Sequence, residues 1–273
     1  MDLSTKIHMV ARSDTGLKRS HNEDSVGQLP SNGVVVLADG MGGYKAGEVA
    51  SAIAVNTLLD SFADISNSID SSKKLNIDQV GTVMQNCTNA VVKTNEIIFQ
   101  TAESQPQYRG MGTTVVTSLF VDNKLIYTHV GDSRIYRYRG NELQQLTVDH
   151  TLLQELVDRG LYTKEEARHS LNKNLVTKAL GVENDVEPST AESDVETGDL
   201  YLFCSDGLHD MMSDSEIGRI LYDNAGNLEA AADALIDNAN NNGGADNVSV
   251  ILAKVLRPYP LQSVWYHKIT SWF

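Results

Sequence analysis

The chain is 273 residues long and carries a formal net charge of −14, from 22 Lys and Arg against 36 Asp and Glu. That surplus argues against nucleic-acid backbones and anionic membrane surfaces as main partners, because both repel it. With 41% hydrophobic and 21% charged residues, the composition is that of a globular chain able to bury a sizeable core. Cys87 and Cys204 are the only cysteines and stand in no CxxC spacing, as expected of reduced, buried thiols. The first residues lack a signal-peptide pattern, and no apolar run is long enough to span a bilayer, so a cytoplasmic location is expected.

In chain order, Val, Ile, Thr and Tyr enrichment predicts strands over 6–13 and 33–38. A helix over 45–59 follows, with Val49, Ala50, Ile53, Ala54, Thr57 and Leu58 along one face. The Ser-rich stretch 61–72 reads as a surface loop. A second helix, over 78–101, places Val80, Val83, Met84, Cys87, Val91, Thr94 and Ile98 on one face. Strands over 112–121, 124–130 and 133–138 come next, with turns at Asp122-Asn123 and Arg139-Gly140-Asn141. Thr163-Lys164-Glu165-Glu166 and Ser213-Asp214-Ser215-Glu216 have capping-box form, so helices should start there. Strands over 200–205 and 247–252 complete the pattern. Clustered strands without βα alternation point to the α+β class, with packed antiparallel sheets covered by helices.

The informative feature is where the acids fall. Apolar strand runs end in Asp39-Gly40-Met41-Gly42-Gly43, in Gly131-Asp132-Ser133-Arg134 and in Ser205-Asp206-Gly207. Asp246-Asn247 leads into the last strand, and Arg19 stands shortly before Glu23-Asp24. Any one Asp beside Gly is accounted for by a turn, since Asp accepts local backbone bonds and Gly supplies unusual dihedrals. Taken together the acids admit a second reading. If the sheet ends converge, the carboxylates repel one another unless cations lie between them. Oxygen-only donors select hard cations such as Mg²⁺ or Mn²⁺.

These segments, with Met111-Gly112-Thr113-Thr114 and Ser205-Asp206-Gly207-Leu208 in the same order, resemble the type 2C metal-dependent serine/threonine protein phosphatases, in their compact bacterial branch. The resemblance covers residues 1–256, from about Lys6 onward, and leaves 257–273 as an aromatic tail holding both tryptophans. It implies an α-β-β-α sandwich, two stacked antiparallel sheets flanked by helices, with a small flap at about 150–185. By position, Asp39 bridges two Mn²⁺ or Mg²⁺ ions and the Gly40 carbonyl faces one of them. Asp206 and Asp246 complete the first metal site, Glu23 holds the second partly through water, and Asp24 stands behind them. Arg19 binds the substrate phosphate, a task suited to a planar guanidinium. Asp132 and Asp210 join Asp206 around a weaker third metal. A water bridging the two main ions attacks phosphorus in line, with no phosphoenzyme. Implied partners are phosphorylated proteins and an opposing serine/threonine kinase, and the chain is expected to be a monomer.

Other readings fit less well. A cysteine-dependent phosphatase needs Arg six residues after its thiolate, but Lys93 and Asp210 stand there. Gly40-Met41-Gly42-Gly43-Tyr44-Lys45 matches neither common nucleotide-loop form. A dead binding protein is disfavoured because every acid of the two-metal set is present, and a nuclease by the negative charge. Phosphatases of sigma-factor switching generally lack the early arginine. Histidines 8, 21, 129, 209 and 267 read as structural or surface residues, while His150 and His169 fall in the flap segment. Animal relatives often carry His where Met41 stands, so the general acid is left unassigned. In the tail, Trp265, Ile269, Trp272 and Phe273 suit one face of a short helix, for packing on the domain or for docking on a partner or membrane.

Overall fold

Residues 2–43, 46–163, 166 and 175–261 are described by a computed structural model. The first run of elements is β1 (Ile7–Asp14), β2 (Asp24–Leu29), β3 (Val34–Met41), α1 (Ala46–Ser68) and α2 (Ile77–Ser104). A meander follows: β4 (Gly112–Thr113), β5 (Val115–Val121), β6 (Lys124–Val130), β7 (Arg134–Arg139) and β8 (Glu142–Gln145). The rest is α3 (Leu152–Asp158), β9 (Ser189–Asp194), β10 (Leu200–Cys204), α4 (Asp206–His209), α5 (Asp214–Asp223), α6 (Leu228–Asn241) and β11 (Val248–Val255).

One sheet has the order β1-β11-β10-β7-β8 and the other β2-β3-β5-β6-β9, with β4 beside β3 and every pairing antiparallel. Because successive side chains alternate faces, each central strand feeds two cores. Val35 and Leu37 of β3 face inward, with Tyr201 and Phe203 of β10 and Ile251 and Ala253 of β11, to form the layer between the sheets. Val34, Val36 and Ala38 turn outward onto α1 and α2. Leu200, Leu202 and Cys204, with Val248, Val250 and Leu252, pack outward with residues of α5 and α6. The expected α-β-β-α sandwich is present, and burial on both faces is why these strands read as unbroken apolar runs.

The expected elements need three corrections. The strands missing from the sequence reading, β2, β8 and β9, all lie at sheet edges. Their sequences, Asp-Ser-Val-Gly-Gln-Leu, Glu-Leu-Gln-Gln and Ser-Thr-Ala-Glu-Ser-Asp, have little apolar content because an edge has less to bury. The expected loop over 61–72 is helix as far as Ser68, since Phe62 is fully buried and Ile65 packs beside it. Finally, the start of the tail joins the body. Tyr259 N–H donates to Asn123 Oδ1 at 2.6 Å and Leu261 N–H to Asp122 Oδ1 at 2.9 Å, with both side chains buried. The Asp122-Asn123 turn, whose two residues have φ of 49° and 56°, is thus a hairpin connection and also an anchor. The capping bonds between Thr163 and Glu166 form. The helix expected after them, His169, and the tail residues Trp265, Ile269, Trp272 and Phe273 lie outside the described residues.

Candidate metal centre and phosphate site

Both sheets deliver acids to one end of the sandwich. Asp39 lies near the end of β3, directly opposite Asp24 in the β2–β3 register. Asp206 opens α4 immediately after β10, with Ser205 as the residue before the helix. Asp132 sits between β6 and β7, and Asp246 just ahead of β11. Gly40 is required by close approach, because a Cβ there would lie 2.2 Å from the Gly47 carbonyl oxygen and 2.5 Å from that of Glu23. Its N–H donates to the Glu23 carbonyl at 3.1 Å, which brings the Glu23 loop against β3.

Neutral side chains hold this arrangement from behind. Thr113 Oγ1 and Thr114 N–H both donate to the Asp39 carbonyl, at 2.8 and 2.9 Å, and Thr114 Oγ1 pairs with Ser133 Oγ at 2.7 Å. Ser205 Oγ donates to Asp24 Oδ2 at 2.8 Å while accepting from Ser249 N–H. Asn247 Oδ1 accepts from Glu23 N–H at 2.8 Å, and its Nδ2 donates to the carbonyls of Thr15 and His21. That one side chain ties the loop carrying Arg19 and Glu23 to the start of β11. His209, buried, faces the Asp132 carbonyl through Nε2 at 3.1 Å. These holders were missed from sequence except as neighbours inside the motifs, because their partners lie far along the chain.

The electrostatics show which acids converge. Burial, and then repulsion from Asp24, Asp206, Asp132 and Asp246, pushes the Asp39 carboxyl well above its ordinary range. Asp206 is raised likewise by burial and by Asp132, Asp246, Asp210 and Asp24. Burial brings Asp24 up to about 6 despite bonds from Ser249 and Ser205. Asp132 also reaches about 6, through burial and the nearby Asp149. Arg19 is the cation at the rim. Its Nη2 donates to Asp246 Oδ2 at 2.6 Å, and Glu23 and Asp206 add to the field that raises it. Of the acids named from sequence, Asp24, Asp39, Asp132, Asp206, Asp210 and Asp246 share one field, and Glu23 meets it at the rim through Arg19.

Glu23 Oε1 and Asp206 Oδ1 are buried with no hydrogen-bond partner among the described residues. Buried carboxylate oxygens without donors are costly, and an oxygen-only set of this kind suits hard divalent cations. Among the described residues no three His, Cys, Asp or Glu side chains form a preassembled ion cage. Asp246 is instead engaged by Arg19.

Residues 17–256 match the family described as Protein phosphatase 2C. The serine/threonine phosphatase stp of Listeria innocua is 37% identical over 91% of this chain and 96% of its own length. The crystal structure of the Mycobacterium tuberculosis serine/threonine phosphatase PstP/Ppp superposes with a TM-score of 0.81 at 38% identity, covering 92% of this chain and 100% of that one. The catalytic domain of PstP in complex with two manganese ions gives a TM-score of 0.77 at 38% identity, over 92% of this chain and 99% of that one. The chain belongs to the protein phosphatase 2C family. It is therefore a serine/threonine protein phosphatase, a hydrolase of phosphomonoesters.

Proposed function

We propose that this chain removes phosphate from phosphoserine and phosphothreonine in proteins at a binuclear Mn²⁺ or Mg²⁺ centre held by Asp39, Glu23, Asp206, Asp246 and the Gly40 carbonyl. The observation that carries the reading is the cluster of mutually repelling carboxylates, with buried oxygens of Glu23 and Asp206 that accept no hydrogen bond among the described residues. Cations held by these residues would neutralise the phosphate charge and acidify a water as the nucleophile, so that no nucleophilic side chain is needed. The residues themselves do the positioning. Thr113 and Thr114 fix the Asp39 backbone, Asn247 fixes the Glu23 loop, and Ser205 orients Asp24 behind Asp39. Arg19 offers planar paired donors to the phosphate oxygens. The manganese-bound PstP domain supports the same metal choice here. Asp132 and Asp210, both within the field of Asp206, suit a weaker third cation.

Phosphorylated proteins are the substrates, and the enzyme opposes a serine/threonine kinase, the activity that makes such esters. Cys87 and Cys204, buried and pushed up to about 12, fit a reducing cytoplasm. The test is direct. Hydrolysis of a phosphothreonine peptide should vanish with chelator and return with Mn²⁺ or Mg²⁺, and Asp39→Asn should abolish it while remaining folded. Full activity in metal-free buffer would sink the reading. Phosphoproteomics after deletion of the gene would name the substrates and the opposing kinase.

A further inference from the structure

Beside the acidic cluster, one half-buried histidine makes contacts that the hydrolysis does not itself require. Gly131 N–H donates to His150 Nδ1 at 3.2 Å, and His150 N–H donates back to the Gly131 carbonyl at 2.9 Å. A backbone N–H can only donate, so Nδ1 is the acceptor and the ring proton sits on Nε2. From there it is donated to Ser189 Oγ at 2.9 Å. The His129 ring stacks on this one at 4.8 Å between centroids and 17° between planes. Burial and that second imidazole bring His150 down to about 4, which keeps the ring neutral around pH 7.

The neighbouring contacts point the same way. Asp149 is gripped by Arg134, whose Nε and Nη2 donate at 2.7 to 3.1 Å. Asp132 therefore lies between two anchors, with Gly131 held by His150 on one side and Arg134 held by Asp149 on the other. Gly131 adopts φ of +102°, and a Cβ there would lie 2.6 Å from Thr114 Cβ, so its peptide orientation is closely set. Just past His150 the chain pairs with its own return: Thr177 N–H donates to the His150 carbonyl at 2.8 Å and Leu152 N–H to that of Leu175 at 2.9 Å.

We infer that His150 is a positioning residue whose ring, held in the Nε2–H tautomer, fixes the Gly131 peptide and thereby the Asp132 carboxylate. The paired ends of the 150–177 segment and the acidic cluster are thus held in one geometry. The inference rests on the phosphatase reading, but not on whether Asp132 itself holds a cation.

Two substitutions separate the ring's two bonds. His150→Asn keeps an acceptor near Nδ1, whereas His150→Gln keeps an amide near Nε2 and leaves the Gly131 N–H unpaired. On a phosphothreonine peptide, H150Q should lose about tenfold in kcat with KM within about twofold, while H150N stays within about threefold of the parent. In the metal-free protein, NMR hydrogen exchange at the Gly131 amide should accelerate about tenfold in H150Q but not in H150N, as loss of one hydrogen bond predicts. Equal kcat in the two variants, or losses that follow Tm, would overturn the inference. So would unchanged Gly131 exchange in H150Q. The exchange measurement needs neither metal nor substrate, so it stands even if the phosphatase reading fails.

Discussion

Arg19 and Asp246 meet at 2.6 Å with the arginine side chain half exposed. An ion pair open to solvent contributes little to folding, on the order of 0–1 kcal/mol. The guanidinium has further donors, and a phosphate dianion is a better acceptor for them than water. Arg19→Ala should therefore leave Tm within about 2 °C of the parent. It should raise KM for a phosphothreonine peptide with little change in kcat, costing about 1.5–3 kcal/mol of binding, or roughly 10- to 150-fold in kcat/KM. Steady-state kinetics beside a thermal melt decides it, and an unchanged kcat/KM removes Arg19 from substrate binding.

At the level of elements, the legible parts were those that burial makes redundant. Strands β3, β10 and β11 bury both faces, so their apolar runs showed plainly and the acids at their ends stood out. The edge strands β2, β8 and β9 were invisible for the opposite reason, as was the last part of α1, where Phe62 is set among serines and aspartates. The metal-ligand candidates could be picked out residue by residue, but not the groups that hold them. Asn247 reaches Thr15, His21 and Glu23, more than 220 positions away, and no local pattern encodes such a pairing. Asn247→Ala would leave Glu23 N–H and two carbonyls without this partner. It should cost about 2–3 kcal/mol of stability, from roughly 1 kcal/mol per net hydrogen bond, and weaken Mn²⁺ affinity about tenfold or more. Asn76→Ala, which removes the capping box of α2, should cost about 1 kcal/mol and leave Mn²⁺ affinity alone. Calorimetric Mn²⁺ titration of both variants makes the comparison. Equal affinities would mean that Asn247 only stabilises the fold.

For the whole molecule, the acidic cluster is a burden that depends on pH. Asp24 and Asp132 are raised to about 6, and Asp39 and Asp206 are raised as well. A carboxyl with a raised folded pKa binds more protons folded than unfolded, so its contribution to stability is complete below about 3.8 and is lost as pH rises through about 6. For Asp132 alone that loss is about 3 kcal/mol. Two histidines oppose it: buried His129 is lowered and half-buried His150 falls to about 4, so their contribution is present above about 6.5 and is lost as pH falls below it, for His150 through about 4. The raw pH dependence of Tm mixes both sets, and a single substitution separates them. Asp132→Asn removes the titrating acid, keeps its shape and leaves both histidines in place. In chelator, it should raise Tm by several degrees at pH 7.5, where the parent must bury a charge, and by much less at pH 5, where the parent's Asp132 is already protonated. With saturating Mn²⁺ the gain at pH 7.5 should shrink, because cations bind the charged acids and favour the folded state. Thermal melts at the two pH values, with and without chelator, measure each term. A gain in metal-free Tm of the same size at pH 5 and pH 7.5 would show that Asp132 carries no buried charge.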